Sequence, residues 1–407
     1  MTSCRLCASN DLRVVLSLGS TPLANALLTV EDLETPDAVY PLALAICGSC
    51  SLVQITESVP PEELFAEYVY FSSFSETMVR HARDLAAAMR ESRRLDGNSL
   101  VIEAASNDGY LLQHYRAAGI PVLGIEPAAN IAKVAREQRQ IPTLTEFFGR
   151  EVAERVAGEG KRADVFHAHN VLAHVPDLNG FVAGIRSILR DDGVAVIEVP
   201  YVKDMIDRCE FDTIYHEHLC YFSLTALDRL FKLHDLNICR VERLAIHGGS
   251  LRIVAARSGA AERDRSVDDL LADEQSWGAA TERPYLEFSQ RVGAIRRQVS
   301  TMLEELKAAG NRLAAYGAAA KGSTLLNCLP LKPGLIDFVV DRSTYKQGRY
   351  MPGVRLPIYP PEKLLETRPD YVLLLTWNFA DEILEQQARF RELGGRFLLR
   401  IPEPRIL

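Results

Sequence analysis

The sequence predicts an α/β protein of three units: a small N-terminal domain over 1–74, a central Rossmann-like domain over 75–300 and a second Rossmann-like domain over 301–407. Two strand–turn–helix patterns, at Leu100–Leu112 and Arg312–Asn327, each resemble the first unit of a nucleotide site. Two Cys-x-x-Cys pairs mark the N-terminal domain. At 407 residues the chain is also too long for one hydrophobic core.

Composition narrows the class of protein. The net charge is −8 and no block of basic residues occurs, which argues against a nucleic-acid partner. No apolar run approaches the roughly 20 residues that a membrane helix needs, and the first residues lack the hydrophobic stretch of a signal peptide. We therefore expect a cytoplasmic protein without a membrane partner.

The paired cysteines predict a metal site. Cys4 with Cys7 and Cys47 with Cys50 can each present two thiolates from one tight turn, and two such turns complete a tetrahedral zinc site. A single pair could equally be a redox pair or chance. Because four thiolates leave no open coordination position, the zinc is expected to be structural.

The first central turn favours a cofactor without phosphate. It lacks the Gly-x-Gly-x-x-Gly pattern, so a pyrophosphate has less room near the backbone, and S-adenosylmethionine is favoured over NAD. Glu126 ends the second strand, where such folds bind a ribose diol, and Phe147 or Phe148 could support an adenine. The predicted cofactor contacts are Glu103, Ser106, Asn107, Asp108, Gly109, Tyr110, Glu126, Phe147 and Asn170.

A dense polar segment follows the fifth predicted strand of the central domain. Tyr215, His216, Glu217 and His218 are adjacent, and histidine suits proton transfer near neutral pH. Asn170 and His174 are expected at the same crevice, beyond the carboxyl ends of the strands. A metal site is the rival interpretation, but its two histidines should be four residues apart, and here they are two apart. A structural polar network is the third alternative.

Two further segments are candidate substrate contacts. His247, Gly249, Ser250 and Arg252 form a glycine turn with polar donors, which could also be a plain hairpin. In the third domain, Lys321, Ser323 and Thr324 at a helix start suit the anionic group of a nucleotide diphosphate, or belong to a sheet that binds nothing. The charged segment from Ala261 to Ala308 is expected to be one long helical connection.

Taken in order, these motifs resemble those of the three-domain, zinc-bearing sugar C-methyltransferases of deoxysugar biosynthesis. The resemblance covers the whole chain. Besides the cysteine pairs it rests on Ser-Asn-Asp-Gly-Tyr-Leu-Leu, Asn-Val-Leu-Ala-His-Val-Pro-Asp, Tyr-His-Glu-His, His-Gly-Gly-Ser-Leu-Arg and Gly-Ala-Ala-Ala-Lys-Gly. One departure is Ala105, where the family usually has glycine.

The resemblance implies a class I methyltransferase fold for the central domain and C-3 methylation of a nucleotide-linked 4-keto-6-deoxy sugar by S-adenosylmethionine. It implies that His218 is the general base. The residues implied to line the pocket are Tyr70, His174, Tyr215 and Glu217, with His216 among the substrate contacts. The same family implies zinc at the four cysteines, and we expect a monomer or a weak homodimer.

Three other functions fit parts of the sequence. An O- or N-methyltransferase acting on the same kind of sugar would use His218 to deprotonate a hydroxyl or an amine. An NAD-dependent sugar epimerase or dehydrogenase would depend on the third domain, and a non-enzymatic zinc-bearing scaffold would depend on the cysteines alone. The polar segment at 215–218 argues against the scaffold.

Overall fold

The fold was analysed in a computed structural model, which describes residues 3–60, 72–399 and 405–407, apart from the side chains of Phe74 and His247. Within these ranges the strands form three sheets, ordered along the chain as the sequence predicts. Across the same ranges, no helix is both long enough and apolar enough to cross a bilayer.

The N-terminal sheet is antiparallel and has the strand order β1-β2-β3-β9. Its strand β2 alternates small and apolar residues, and it ends at the second cysteine pair. The last strand, β9, comes from the central part of the chain and pairs with β3. The strands are β1 Leu12–Thr21, β2 Tyr40–Cys47, β3 Val53–Ile55 and β9 Cys220–Tyr221.

The central sheet has the order β10-β11-β8-β7-β4-β5-β6. Strands β4 to β8 are parallel, and β11 runs antiparallel between β8 and β10. Parallel strands bring their carboxyl ends to one edge, which is where the turns with polar residues lie. The strands are β4 Val101–Ala104, β5 Val122–Ile125, β6 Thr143–Leu144, β7 Ala163–His169, β8 Leu189–Pro200, β10 Leu236–Leu244 and β11 Ser250–Arg257.

Helices cover both faces of the central sheet, as a doubly wound fold requires. Each exposes charged residues and buries an apolar stripe, and several begin with a side-chain cap such as Ser75, Asp177 or Ser223. The helices are α1 Glu76–Arg93, α2 Leu112–Ala117, α3 Ala129–Gln138, α4 Arg150–Gly158, α5 Leu178–Ile188, α6 Val202–Asp207 and α7 Leu224–Lys232. Short 3₁₀ turns occur at Glu31–Glu34, Ser72–Phe74, Leu172–His174, Phe211–Thr213, Ile246–Gly248 and Trp377–Phe379.

The segment predicted as one helical connection contains two helices, α8 Arg265–Trp277 and α9 Arg283–Ala308. Gly278 closes α8 in the left-handed conformation, with φ 92°, and Pro284 lies in the first turn of α9. Glycine commonly follows the last residue of a helix, and proline is commonly found in the first turn of the next one. The predicted connection is therefore helical over most of its length but is divided into two helices at Gly278.

The C-terminal sheet has the order β14-β13-β12-β15-β16-β17 and is parallel except for β17. Helix α10 follows β12 and packs against the 3₁₀ turn Phe211–Thr213 of the central part. The strands are β12 Leu313–Tyr316, β13 Val339–Val340, β14 Ile358–Tyr359, β15 Tyr371–Leu374, β16 Arg396–Leu399 and β17 Arg405–Ile406. The helices are α10 Ala320–Cys328, α11 Lys363–Thr367, α12 Ala380–Gln386 and α13 Ala388–Glu392. The predicted domain boundaries stay a prediction.

Candidate functional site

The four N-terminal cysteines converge on one point. The Sγ atoms of Cys4 and Cys50 are 3.4 Å apart, those of Cys7 and Cys47 are 3.6 Å apart, and all four lie within 4.8 Å of one another. With zinc–sulfur bonds of about 2.3 Å, a tetrahedral site holds its sulfurs about 3.8 Å apart. The spacing of the thiols therefore fits a four-thiolate zinc site.

The turn after β4 is held by the carboxylate that ends β5. Glu126 accepts hydrogen bonds from the backbone N–H of Asn107 and of Ala128, both at 2.9 Å. Ala105 and Asn107 adopt left-handed backbone conformations, with φ 52° and 50°. Alanine is uncommon there, which explains why glycine is usual at position 105 of the family that this chain resembles.

Around this turn lie carboxylate oxygens that suit a cationic cofactor. Oε2 of Glu103 and Oδ1 of Asp108 accept no hydrogen bond from the described residues, although both side chains are buried. Burial, helped by the neighbouring carboxylates of Glu126 and Asp108, raises the pKa of the Glu103 carboxyl well above its usual range. A ligand that brings a positive charge here relieves this cost, and S-adenosylmethionine brings a sulfonium and an ammonium group. The residues present therefore fit that cofactor.

The 3₁₀ turn Ser72–Phe74, which precedes α1, closes one side of the cofactor turn. The backbone N–H of Ser72 donates to Oδ1 of Asn107 at 2.9 Å, and the Ser73 hydroxyl donates to Asp108. Asp108 also forms an ion pair with Arg139 at 2.9 Å. These contacts fix the loop side chains before any ligand binds.

The two phenylalanines that could support an adenine, Phe147 and Phe148, differ in their exposure. Phe148 packs in the core against Phe166 and Phe181, with ring centroids 4.8 and 5.0 Å away, whereas Phe147 is 54% exposed. Phe147 is therefore the ring available to a nucleobase. The predicted contacts Ser106, Gly109 and Tyr110 lie in the turn itself, and Asn170 follows β7 at the same edge of the sheet.

His218 lies at the centre of a group of four residues, His174, Tyr215, Glu217 and His218, which we call the histidine cluster. Its Nδ1 lies 2.9 Å from the carbonyl oxygen of Thr213, and its Nε2 lies 2.9 Å from the hydroxyl of Tyr215. A carbonyl can only accept, so Nδ1 carries the proton and Nε2 presents a lone pair. The fold thus selects the tautomer in which Nε2 can act as a base.

His174 and Glu217 complete the cluster. The ring of His174 lies 4.8 Å from that of His218 between centroids, and its Nδ1 donates to the backbone oxygen of Glu217 at 2.7 Å. Burial lowers the pKa of His174 and raises the pKa of Glu217 to about 7, while Asn25 of the N-terminal domain donates to Glu217 at 2.7 Å. Burial thus favours the neutral form of His174 and keeps part of the Glu217 population protonated near neutral pH.

Two of the predicted substrate contacts are engaged elsewhere. His216 is buried, and its Nε2 lies 3.1 Å from the backbone oxygen of Pro41 in the N-terminal sheet. Arg252 forms ion pairs with Glu198 at 2.6 Å and with Glu242 at 3.2 Å. Both residues therefore support the walls of the crevice in this structure, and their contact with substrate stays a prediction.

The glycine turn before β11 packs on buried carboxylates. A Cβ on Gly249 would lie 2.2 Å from a carboxylate oxygen of Asp204, and the φ of Gly249 is 116°. The Ser250 hydroxyl donates to the backbone oxygen of Ile246 at 3.2 Å. The packing against Asp204 and the positive φ thus explain Gly249 without any contact to a substrate. Tyr70 and the side chain of His247 lie outside the described residues.

In the C-terminal sheet, Lys321 differs from its two predicted partners. Its Nζ lies 4.8 Å from the centre of the Trp377 ring and donates to Asn378 at 3.0 Å. Ser323 and Thr324 are buried, with 1% and 3% of their surface exposed. Lys321 is therefore the side chain of this group that can reach an anionic ligand.

A buried polar network under the cofactor turn was not predicted. The carboxylate of Glu198 lies 2.9 Å from Nε2 of His81 and 3.1 Å from Nδ1 of His169. His169 in turn contacts His167, which contacts the Tyr115 hydroxyl, each at 2.9 Å. Although burial alone would raise it, the pKa of Glu198 is held well below its usual range by these histidines and Arg252. The available signal was an apolar strand with an acidic residue near its carboxyl end, as β4 has at Glu103.

Family models match nearly the whole described chain. A zinc binding domain matches residues 4–65, a methyltransferase domain matches 76–241 and a C-methyltransferase C-terminal domain matches 245–402. The C-methyltransferase NovU of Streptomyces niveus is 39% identical over 405 residues, which are 99% of this chain and 96% of that protein.

Two more distant proteins resemble parts of the chain. The ubiquinone biosynthesis O-methyltransferase of Bartonella quintana (strain Toulouse) is 25% identical over 100 residues, 25% of this chain and 40% of that protein. The magnesium protoporphyrin IX methyltransferase of Synechocystis PCC 6803 is 16% identical, covers 44% of this chain and 83% of its own, and has a TM-score of 0.36.

The cysteine site, the cofactor turn and the full-length match to NovU lead to one conclusion. The chain belongs to the zinc-binding C-methyltransferase family, whose cofactors are S-adenosylmethionine and a structural zinc ion.

Proposed function

We propose that this enzyme methylates C-3 of a nucleotide-linked 4-keto-6-deoxy sugar through an enolate. The observation that carries the proposal is the tautomer of His218, whose Nδ1–H faces the Thr213 carbonyl. Carbon is a poor nucleophile, so the proton at C-3 must be removed, and the adjacent C-4 ketone makes that proton acidic. A neutral imidazole whose Nε2 carries the lone pair is a suitable base.

Tyr215 is the proposed donor to the enolate oxygen. While His218 is neutral, the Tyr215 hydroxyl donates to Nε2 across 2.9 Å. Because Nε2 has one lone pair, the C-3–H of the substrate must take the place of the Tyr215 hydroxyl there before proton removal, and the displaced hydroxyl can then donate to the negative charge that develops at the C-4 oxygen. The same hydrogen bond thus couples proton removal to stabilisation of the enolate.

Glu217 and His174 form the proposed wall against the sugar. Because the pKa of Glu217 is raised to about 7 by burial, part of the population is a neutral carboxylic acid that can donate a hydrogen bond. Burial keeps His174 neutral as well. In this protonated fraction of the enzyme, neither residue places a negative charge beside the enolate.

The cofactor supplies the electrophilic methyl group. Residues of the turn after β4, with Glu126 and Phe147, are proposed to hold it so that methyl, sulfur and C-3 lie in line. Lys321 is proposed to bind the diphosphate of the sugar nucleotide. The substrate would then bridge the central and C-terminal sheets. We expect the enzyme to act as a monomer or weak homodimer.

The product of the reaction tests the proposal. Purified enzyme is incubated with ¹³C-methyl S-adenosylmethionine and a panel of 4-keto-6-deoxy nucleotide sugars, and the product is analysed by NMR. A methyl carbon coupled to a sugar carbon supports C-methylation. A methyl resonance at an oxygen- or nitrogen-bound position identifies an O- or N-methyltransferase and contradicts the proposal.

Replacement of the base gives the largest expected loss. His218→Asn keeps a hydrogen-bond donor near the Thr213 carbonyl but has no basic nitrogen, so turnover should fall by at least about 10³-fold. The affinity for S-adenosylhomocysteine, measured by calorimetry, should stay within about threefold because the cofactor turn is unchanged. Turnover near the wild-type rate would rule out His218 as the base.

A further inference from the structure

A side chain of the C-terminal domain reaches the loop that carries His218. Nε1 of Trp377 donates a hydrogen bond of 2.9 Å to Oδ2 of Asp212. Asp212 is fully buried in the 3₁₀ turn Phe211–Thr213, against which helix α10 packs. Because a buried carboxylate depends on its donors, the indole N–H helps to hold this turn in place.

The next residue along the same turn is the hydrogen-bond acceptor for the histidine. The carbonyl of Thr213 accepts from Nδ1 of His218 at 2.9 Å, and the Tyr221 hydroxyl donates to the same oxygen at 3.4 Å. The position of this carbonyl fixes both the tautomer and the ring orientation of His218. Trp377 therefore acts on His218 through Asp212 and Thr213, across the boundary between two domains.

We propose that Trp377 is a positioning residue, which sets the geometry of the base from the C-terminal domain. This inference rests on the proposed function, since it takes His218 as the base for C-3. Lys321, the proposed contact for the substrate diphosphate, lies over the face of the Trp377 ring and bonds to the adjacent Asn378. Binding of the nucleotide and placement of the base are thus carried by neighbouring side chains of one segment.

The step to measure is proton removal, separated from methyl transfer. In D₂O without cofactor, the wild-type enzyme should exchange the C-3 proton of the nucleotide sugar for deuterium, as observed by NMR. Trp377→Phe keeps an aromatic face for Lys321 and removes the N–H. We expect exchange and kcat to fall together by roughly 30-fold, with the KM for both substrates within about threefold, since a displacement of about 1 Å can cost 10²-fold.

The chain offers a matched control. Its two tryptophans each have a lysine over the ring, and the second pair is Trp277 with Lys203 at 5.4 Å. Trp277→Phe should therefore change exchange by less than about threefold. A further readout is the pH profile: the Nδ1–H bond to a carbonyl stabilises the imidazolium form, so its loosening in Trp377→Phe should shift the inflection of exchange to lower pH.

Three outcomes would overturn the inference: wild-type exchange in Trp377→Phe, an equal loss in Trp277→Phe, or a loss confined to KM. If Trp377→Phe does not fold, substitutions of Asp212 test the same hydrogen bond from its other partner. Asp212→Asn keeps an oxygen that can accept the indole N–H and should retain exchange, whereas Asp212→Leu should lose roughly 30-fold. A wild-type enzyme that shows no exchange at all contradicts the proposed function itself, which is a separate result.

Discussion

The central and C-terminal sheets hold the turn after their first strand with the same kind of hydrogen bond, but the side chains around the two turns differ in charge. In each, the carboxylate that follows the second strand accepts a backbone N–H from the turn after the first strand: Glu126 accepts from Asn107 at 2.9 Å, and Asp341 accepts from Ala318 at 2.7 Å. What differs is the set of side chains around the turn, and this difference is the basis of the proposal that the two sheets bind different ligands.

The central turn is surrounded by acidic groups. Glu103 and Asp108 each present a buried oxygen without a donor among the described residues, and Glu198 lies deeper on the same sheet. The C-terminal turn is surrounded by cationic groups, with Lys346 donating to the Ala318 carbonyl at 2.8 Å and Lys321 over Trp377. The two turns thus share a backbone hydrogen bond and differ in the charge of the surrounding side chains, on which the proposed ligand classes depend.

The sharpest way to break this comparison is to remove one carboxylate at a time. Glu126→Ala leaves two buried N–H groups without an acceptor and removes the proposed ribose contact, so the Kd for S-adenosylhomocysteine should rise by about 100-fold. The matched variant Asp341→Ala should leave that Kd within about threefold. Calorimetric titration of both variants measures the difference, and equal losses would mean that the two turns do not bind separate ligands.

A smaller effect is expected at the cationic turn. Lys321→Met keeps the length of the side chain over Trp377 and removes its charge, so the KM for the nucleotide sugar should rise by about 10-fold. The Kd for S-adenosylhomocysteine should not change. Steady-state kinetics at two salt concentrations give the check, because the wild-type KM should rise with salt and that of the variant should not. A salt-independent wild-type KM would contradict the assignment.

The smallest predicted effect concerns stability and pH. The pKa of Glu103 is raised in the folded state, chiefly by burial, so its contribution to stability is complete below the unfolded pKa and is lost as pH rises through the folded pKa. Glu103→Gln replaces the carboxyl by a neutral amide, so the variant does not lose stability in this way as the pH rises. The ligand-free variant should match the wild-type melting temperature near pH 4.5 and exceed it by roughly 2–4 °C at pH 8. A difference of the opposite sign at pH 8 would show that Glu103 is ionised and stabilised in the fold.

The features that could be predicted from sequence are those that depend on residues a few positions apart. The two Cys-x-x-Cys pairs, the turn after β4 and Glu126 all follow local patterns of strand end and turn. The fold class was confirmed because the alternation of strands and helices repeats along the chain. The match to NovU confirmed the methyltransferase class.

What could not be predicted depends on how the domains pack together. Asn25 reaches Glu217 across 192 positions, and Trp377 reaches Asp212 across 165. No periodicity or spacing encodes such contacts, since they form only when separate units meet. The strand β9 is two residues long and joins the N-terminal sheet from the central part of the chain, which is too short a pattern to recognise. Glu198 lies near the end of an apolar run, but this run has the pattern of any buried strand and does not indicate the partners of the carboxylate.

One measurement tests the account most directly: hydrogen–deuterium exchange of the protein, read by mass spectrometry, with S-adenosylhomocysteine alone and with a nucleoside diphosphate alone. The account predicts that the first ligand protects the backbone of 105–110 and that the second protects 317–324, with little protection of the other turn in each case. Protection of the same turn by both ligands would contradict this assignment, because the two sheets would then not bind separate ligands.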